Sequence, residues 1–156
     1  MKKNHTIFIV LCFLFAFSTI SYSQLESSIS GSKAIFKVVK ILDNYISDNQ
    51  FMKPDEGKKY IAFEVVVDNS KGSKSITVPS MMIKLKDKEG YEYSLDMIST
   101  MIKPTFEGTT DAGDLTRGWI GFEVSKSTKI DDLKIAYRGF MDKTNWLELK
   151  KFKSTK

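Results

Sequence analysis

Cysteine and histidine are almost absent from this sequence of 156 residues, which contains one of each. Both of them, Cys12 and His5, fall within the first 23 residues. The rest of the chain therefore has no disulfide framework, no thiol nucleophile, no Ser-His-Asp triad and no imidazole or thiolate metal site. These absences exclude most common enzyme designs. We expect a protein that is not an enzyme and that needs no cofactor.

Long apolar runs are also scarce. The longest, residues 7–17, is shorter than the roughly 18 residues that a membrane-spanning helix needs. Lys2 and Lys3 precede this run and small residues follow it, which is typical of a secretory signal peptide over residues 1–23. Cys12 lies inside the run rather than after a small residue at its end, so no lipid anchor is expected. The pattern predicts export to the periplasm or exterior of a bacterium, expected to be Gram-negative, with no transmembrane helix in the mature chain.

The expected layout after the leader is a Ser-rich, flexible lead-in over residues 24–32, one domain over 33–152 and a basic tail over 153–156. The lead-in contains Ser30 and Lys33 in the S-x-x-K spacing of serine acyl enzymes. The partner motif K-T-G is missing from the chain, so a chance match is favoured. Removal of the two leader lysines changes the formal charge from +5 to +3 (5 − 2), a mild surplus that argues neither for nor against an anionic partner. No nucleic-acid partner is expected.

Two stretches have the strongest strand pattern. In residues 58–69, apolar side chains alternate at period two, which predicts a central strand with one face in the core. Residues 115–124 repeat this pattern, with Trp119, Gly121 and Glu123 on the face opposite the apolar one. Gly118 and Gly121 indicate a bulge or a close backbone approach. The apolar positions expected to build the core are Ile61, Phe63, Val65, Val67, Ile120, Phe122 and Val124.

The remaining strand patterns are shorter. Further strands are predicted at residues 34–42, 75–79, 133–137 and 146–150, and a hairpin joins 82–87 to 91–95 through a turn at Gly90. Residues 97–102 are typical either of one helical turn or of an irregular edge. Seven or eight strands without a long helix predict an all-β fold, an antiparallel β-sandwich, with a closed barrel as the alternative.

Three motifs then occur in a recognisable order: GKKYIAFEVVVDN at 57–69, LKDKEGYEY at 85–93 and GDLTRGWIGFEV at 113–124. In this order they resemble the secreted immunoglobulin-like family known as domain of unknown function 4352, over roughly residues 53–137. The resemblance implies an immunoglobulin-like sandwich on an exported bacterial protein. It implies no family-wide activity and carries over no catalytic residues, because apolar alternation with glycines specifies a fold rather than a function.

Aromatic side chains are the first candidate site. Tyr91, Tyr93, Trp119 and Trp146 would stack on sugars or on a partner protein if they shared one sheet face. The alternative, which burial statistics favour, is that these rings pack the core.

Loop carboxylates are a weaker candidate site, for a metal ion. Asp111 and Asp114, with Asp131 and Asp132, offer carboxylates in loops, but their spacing matches no calcium loop, so solvated aspartates are favoured.

Methionines and terminal lysines are weaker candidates still. Four methionines without His or Cys are expected to fill gaps in the core rather than bind Cu(I); they are Met81, Met82, Met97 and Met101. The lysines at 150, 151, 153 and 156 fit a solvated terminus as well as an acidic surface.

Three functions remain open at this point. The favoured one is a non-catalytic module that binds another envelope or extracellular protein through a sheet face or an edge strand. The alternative is a glycan-binding module that uses Trp119 or Trp146 with a tyrosine. A carboxylate-based hydrolase ranks last, because Glu64 and Glu123 lie on strand faces that are expected to meet solvent.

Overall fold

A computed structural model describes residues 24–139 and 144–152 of the chain. The predicted signal peptide and the basic tail lie outside these residues. Within them, ten strands alternate with turns and short 3₁₀ helices. The strands are β1 (Leu25–Ser28), β2 (Ile35–Tyr45), β3 (Lys58–Asp68), β4 (Ile76–Thr77), β5 (Ile83–Lys86), β6 (Glu92–Tyr93), β7 (Thr109–Thr110), β8 (Leu115–Ser125), β9 (Lys134–Tyr137) and β10 (Leu147–Glu148). The 3₁₀ helices are Ser80–Met82, Met97–Thr100, Ile130–Asp132 and Leu149–Lys151.

The strands form two four-stranded sheets and one small pair. Sheet one has the order β1-β2-β3-β8, and sheet two has the order β10-β9-β5-β6. The third sheet pairs only β4 with β7. All the strand pairs are antiparallel. The protein is therefore an all-β, immunoglobulin-like antiparallel sandwich, as predicted, and not a closed barrel. Within the described residues it has ten strands rather than the seven or eight predicted, because β1 and the two-residue strand β7 also form.

Strand β3 is central in sheet one, between β2 and β8, and it pairs with β8 along its whole length from Lys58↔Ser125 to Asp68↔Leu115. The two predicted apolar faces are thus side by side in one sheet, and they meet sheet two across the core. Sheet two contributes Ile83, Leu85 and Ile135 to the same cluster. The predicted core positions of β3 and β8 are all buried in it. The predicted hairpin is also confirmed, because Leu85 pairs with Tyr93 and Gly90 takes φ 90° in the turn.

The N-terminal part of the described chain differs from the expected flexible lead-in. Residues Leu25–Ser28 form the edge strand β1, in register with β2 from Leu25↔Val38 to Ser28↔Ile35. Ile29, directly after β1, is buried in the core. The serine-rich composition predicted flexibility. The edge of β2 nevertheless provides hydrogen-bond partners for this backbone, and the side chains of β1 alternate between partly buried and exposed positions.

Residues 96–106, which we call the strap, cross the free edge of β8. Of the two alternatives for residues 97–102, the structure has a short helix, the 3₁₀ helix Met97–Thr100. Its N-cap is Asp96, whose carboxylate accepts a hydrogen bond from the backbone N–H of Ile98 at 2.9 Å. The strap then continues to Phe106, which is buried in the main core.

Candidate functional site

The strap covers the outer face of sheet one around Trp119. Ile98 and Ile102 of the strap pack on the outer side of β3 and β8 and form a second apolar cluster, separate from the core. Its buried members are Tyr60, Ala62, Ile98, Ile102 and Trp119, with Leu42, Tyr45 and Met52 at its margin. Trp119 is only 9% exposed. The predicted face of Trp119 is thus confirmed, but its ring lies in an apolar layer rather than on a surface that a ligand can reach.

Hydrogen bonds to the backbone of β8 hold the strap in place. The Ser99 hydroxyl accepts from the Gly121 N–H at 2.8 Å and donates to the Gly121 carbonyl at 3.0 Å, so it occupies the place of a neighbouring strand. The Trp119 N–H donates to the Pro104 carbonyl at 2.8 Å, and the Trp119 carbonyl accepts from Phe106. These bonds satisfy edge groups that would otherwise recruit another strand. This part of β8 is therefore closed to strand addition by a partner.

The two glycines of β8 make this close approach feasible. A Cβ at position 118 would overlap the backbone of Phe106, and a Cβ at position 121 would overlap the side chain of Ile98. Of the two interpretations that the sequence left open, close backbone approach is the one that the structure shows. Glycine is required here by the packing of the strap.

The outer face of sheet two carries partly exposed aromatic and charged side chains. Trp146 directly precedes β10, and the Lys86 ammonium lies 4.5 Å from the centroid of its ring. Lys86 also pairs with Glu92 at 3.0 Å, and Arg138 holds the same carboxylate with two hydrogen bonds of 2.8 and 3.2 Å. We call these four residues, Trp146, Lys86, Glu92 and Arg138, the Trp146 face.

Lys86 and Arg138 both bind the carboxylate of Glu92 and hold the side chains of the Trp146 face together. The pKa of Glu92 is lowered from its ordinary value, first by the hydrogen bond from Lys86 and then, against the cost of burial, by Arg138. The side chains of Lys86, Glu92 and Arg138 keep 27%, 31% and 42% of their surface exposed. An aromatic ring, a bidentate arginine and a neutralised carboxylate therefore lie together on one accessible surface.

The two tyrosines of the predicted aromatic set divide between surface and core. Their rings meet edge to face, with centroids 4.9 Å apart. Tyr93 points inward, packs on the core and donates its hydroxyl to Asp87 at 3.0 Å; burial, followed by this hydrogen bond, raises its pKa. Tyr91 is 64% exposed at the turn. With Trp119 sealed under the strap, the predicted set is not one platform, and Trp146 and Tyr91 are its accessible members.

Lys86, Glu92 and Arg138 are not among the site residues predicted from the sequence. A signal for the first two was present, because the predicted hairpin places Lys86 opposite Glu92 as a cross-strand pair of opposite charge. Arg138 had no such signal. It follows β9, and it reaches Glu92 only because β9 and β6 flank the same strand, β5.

The loop aspartates do not assemble into a metal centre in the described ranges, which contain no group of three or more carboxylate, His or Cys side chains that could hold a metal ion. The carboxylate of Asp111 accepts a hydrogen bond from the Ser75 hydroxyl at 2.7 Å. The backbone carbonyl of Asp114 accepts from the Asn69 N–H at 2.9 Å. Both side chains are exposed, as expected for solvated aspartates.

The methionine prediction is wrong for three of the four residues. Met81, Met97 and Met101 are 69%, 69% and 44% exposed, so they do not fill gaps in the core. Met97 and Met101 extend outward from the strap, whose neighbouring residues Ile98 and Ile102 point inward. On a one-turn helix, consecutive side chains diverge, and only part of an apolar segment can be buried.

Glu64 and Glu123, the carboxylates weighed for hydrolysis, are each paired with a cation. Arg117 contacts Glu64 at 2.6 Å, and Lys58 contacts Glu123 at 2.7 Å. Glu123 also accepts from the Asp55 N–H, and its hydrogen bond is the largest cause of the raised pKa of Lys58. Both side chains lie on the outer side of sheet one, as predicted, but they keep only 14% and 16% of their surface exposed rather than meeting solvent freely.

The chain matches one protein family and no curated protein. A family model described as Domain of unknown function (DUF4352) matches residues 23–146. A comparison with curated proteins gives no match. Among the described residues, no helix is long and apolar enough to cross a membrane.

Several solved structures share the fold at low identity. The secreted protein MPT63 of Mycobacterium tuberculosis is 15% identical with a TM-score of 0.54, over 77% of this chain and 87% of that one. The putative lipoprotein YcdA of Bacillus subtilis is 20% identical with a TM-score of 0.55, over 83% of this chain and 39% of that one. The B. subtilis protein YjhA is 18% identical with a TM-score of 0.54, over 71% and 78%.

Proposed function

This chain belongs to the DUF4352 family, and from that premise we propose that it is an exported, non-catalytic immunoglobulin-like module that binds another envelope or extracellular protein. Export is supported by the leader pattern of residues 1–23 and by the similarity of the fold to a secreted protein and a putative lipoprotein. The absence of cysteine and histidine after residue 23 supports a binding role.

The observation that carries this proposal is the Trp146 face. Tryptophan, tyrosine and arginine are the residues most enriched at the energetic centres of protein interfaces. Here Trp146 and Arg138 are joined through Lys86 and Glu92, so their side chains are already ordered before a partner arrives. A preordered surface loses less conformational entropy on binding. Tyr91 is exposed in the turn that leads into β6, but its ring packs on the inward-pointing Tyr93, so it is not part of this face.

A protein partner fits this surface better than a sugar does. Stacking on a sugar requires an open ring face, whereas one face of Trp146 is occupied by the Lys86 ammonium at 4.5 Å. A protein partner can leave this cation–π contact in place and pack around it, adding a carboxylate to Arg138 or Lys86 at the rim.

Site-directed photocrosslinking in an envelope extract of the source bacterium tests the proposal. A benzophenone side chain in place of Lys84, on the outer side of β5, is expected to give one discrete protein adduct. The same probe in place of Lys126, in the turn after β8, is the matched control and should not give this adduct. Adding Trp146→Ala and Arg138→Ala to the Lys84 probe should abolish it. No adduct at position 84, or an adduct that survives both substitutions, would overturn the proposal.

Glycan binding remains the second candidate, because Trp146 is partly exposed. In a Trp119→Phe variant, tryptophan fluorescence reports on Trp146 alone, since the chain has two tryptophans. A saturable change in this fluorescence with one glycan of a broad panel, absent from a double variant that carries Arg138→Gln as well as Trp119→Phe, would favour the glycan over the protein partner. An unchanged spectrum across the panel removes this candidate.

A further inference from the structure

An open polar cleft of about 620 Å³ lies at one end of sheet one. One wall is the turn between β1 and β2, and the other is the loop between β3 and β4. Its volume is within the range of about 300–1,000 Å³ that is common for ligand sites. Its lining residues are Ser30, Gly31, Ser32, Lys33, Asn69, Gly72, Ser73, Lys74, Ser75 and Ile76.

Internal hydrogen bonds hold the second wall in place. Asn69, 1% exposed at the end of β3, donates its side-chain amide to the carbonyls of Lys74 and Asp111 at 3.0 Å each, and to that of Thr110 at 3.3 Å. Gly72 lies directly on this amide, where a Cβ would overlap it. The backbone of Lys74 is thus anchored to the sheet.

The first wall is a turn that is fixed in the same way. The Ser32 hydroxyl donates to the Ile29 carbonyl at 3.0 Å and accepts from the Ala34 N–H at 3.1 Å. Gly31 takes φ 70°, a conformation that glycine adopts without strain. Ile29 and Ala34 are both buried in the core, so Lys33 stands on a turn that is anchored at both ends.

The charge of the cleft is positive. Neither Lys33 nor Lys74 has a carboxylate within ion-pair distance among the residues that the structure describes, although most acidic side chains of the two sheets are paired. Two carboxylates lie near the cleft. Asp68 is neutralised by Lys37 at 2.7 Å, and Asp111 accepts from Ser75. The two lysines are thus free to meet an external anion.

The lining also defines the rest of the ligand. The hydroxyls of Ser30 and Ser73 take part in no hydrogen bond within the described chain, and they offer both donors and acceptors. Among the described residues, Ile76 is the one sizeable apolar side chain of the lining, which leaves no slot for an acyl chain, and no aromatic ring lines the cleft for base stacking. The pattern fits a hydroxyl-rich, acidic chain.

We propose that this cleft binds a segment of an acidic polysaccharide, with its carboxylate or sulfate groups on Lys33 and Lys74 and its hydroxyls on the serines. The S-x-x-K sequence of the first wall, which has no catalytic partners, then supplies a serine and a lysine to binding. Preordered walls favour such a ligand, because charge-assisted hydrogen bonds form without a loss of loop entropy.

Calorimetric titration of the full chain with dextran sulfate, polygalacturonate and neutral dextran tests this site. We expect saturable binding of at least one acidic polymer, no binding of neutral dextran and a weaker affinity as salt rises. The variant Lys33→Gln with Lys74→Gln should bind at least about tenfold more weakly. The variant Lys126→Gln with Lys129→Gln removes the same charge from the turn between β8 and β9 and should keep the affinity of the unsubstituted chain.

Three results would overturn the proposal. Equal weakening in both double variants would indicate attraction to net charge alone. If neutral dextran bound with the same affinity as the acidic polymers, the lysines would not contribute to binding. Binding to anionic lipid vesicles without binding to either acidic polymer would assign the cleft to a membrane surface instead. None of these results depends on the Trp146 face, so the two proposals can fail separately.

Discussion

The two outer faces of the sandwich carry one tryptophan each and use it in opposite ways. On sheet one, Trp119 lies under the strap, with Ile98 and Ile102 packed beside it. On sheet two, Trp146 lies beside Lys86 and remains partly open to solvent. The difference is one segment of chain, residues 96–106, which crosses the first face and not the second. An outer face becomes core or surface according to what covers it.

The covered face has a consequence for partner binding. Its long edge strand, β8, is closed at Trp119 and Gly121 by hydrogen bonds from the strap. The second sheet ends in two-residue strands, β6 and β10, which are too short to recruit a partner strand well. Side chains on the face of sheet two, rather than backbone at its edges, are therefore the expected contacts with a partner.

Replacement of each tryptophan by alanine gives the largest expected contrast. Trp119→Ala should lower the free energy of unfolding by about 3–5 kcal/mol, because it leaves a cavity under the strap. Trp146→Ala should cost less than about 1 kcal/mol, because its ring is partly solvated and loses mainly one cation–π contact. Urea denaturation followed by circular dichroism measures both. Equal losses would contradict the distinction between a sealed face and an open one.

Ser99→Ala tests the attachment of the strap to β8. The substitution leaves the Gly121 N–H without its acceptor, whereas the Gly121 carbonyl loses the Ser99 hydroxyl but keeps the Asp96 N–H. It should cost about 1–3 kcal/mol. Thr100→Ala is the matched control, because its exposed hydroxyl bonds only to the Met97 carbonyl, and it should stay within about 0.5 kcal/mol of the unsubstituted chain. Hydrogen exchange should show faster exchange at Trp119 and Gly121 in Ser99→Ala alone. Unchanged exchange there would argue against the strap as the cover of this edge.

The smallest expected contrast is in how the free energy of unfolding depends on pH. It compares one ion-paired carboxylate on each sheet, Asp68 and Glu92. Hydrogen bonds from Lys37 and then Ser70 hold the pKa of Asp68 well below its usual range, and Lys86 lowers that of Glu92. Because both folded-state pKa values are depressed, the stabilisation is complete above the unfolded values of about 4 and is lost as pH falls towards the folded values.

At neutral pH, Asp68→Asn should therefore cost about 1 kcal/mol, and Glu92→Gln about half of that, because the partners of Glu92 are more exposed. Both differences should shrink as the pH falls below about 4. Urea unfolding at a series of pH values measures them. A difference that stays constant down to the lowest accessible pH would show that the ion pairs are not its cause.

Local pattern was sufficient for the sandwich and for much of its core. Alternation at period two identified the inward side chains of β3 and β8, because side chains of a strand point to opposite faces in turn. The turn chemistry around Gly90 identified the β5–β6 hairpin for the same kind of local reason. Ordered together, these motifs also indicated the family. None of this required knowledge of distant contacts.

The two tryptophans and the strap depended on contacts between distant segments. Alternation assigned Trp119 to the outer side of β8, but it carried no information about a segment that returns across that side. The exposure of Met97 beside the buried Ile98 likewise follows from the position of the strap, not from residue type. Strand β1 formed from a serine-rich sequence because the edge of β2 was available.

The sequence by itself thus determined an all-β chain, the inward faces of its two longest apolar strands and the lack of the residue types that most catalytic sites need. Only the tertiary structure decided which outer face is covered by the strap, which tryptophan is accessible and which lysines line a cleft without a carboxylate partner in the described part of the chain. The physical reason is the separation of the contacting residues along the chain. Strand alternation and turns depend on neighbouring residues, whereas the covering of a sheet face and the pairing of charges depend on segments tens of residues apart.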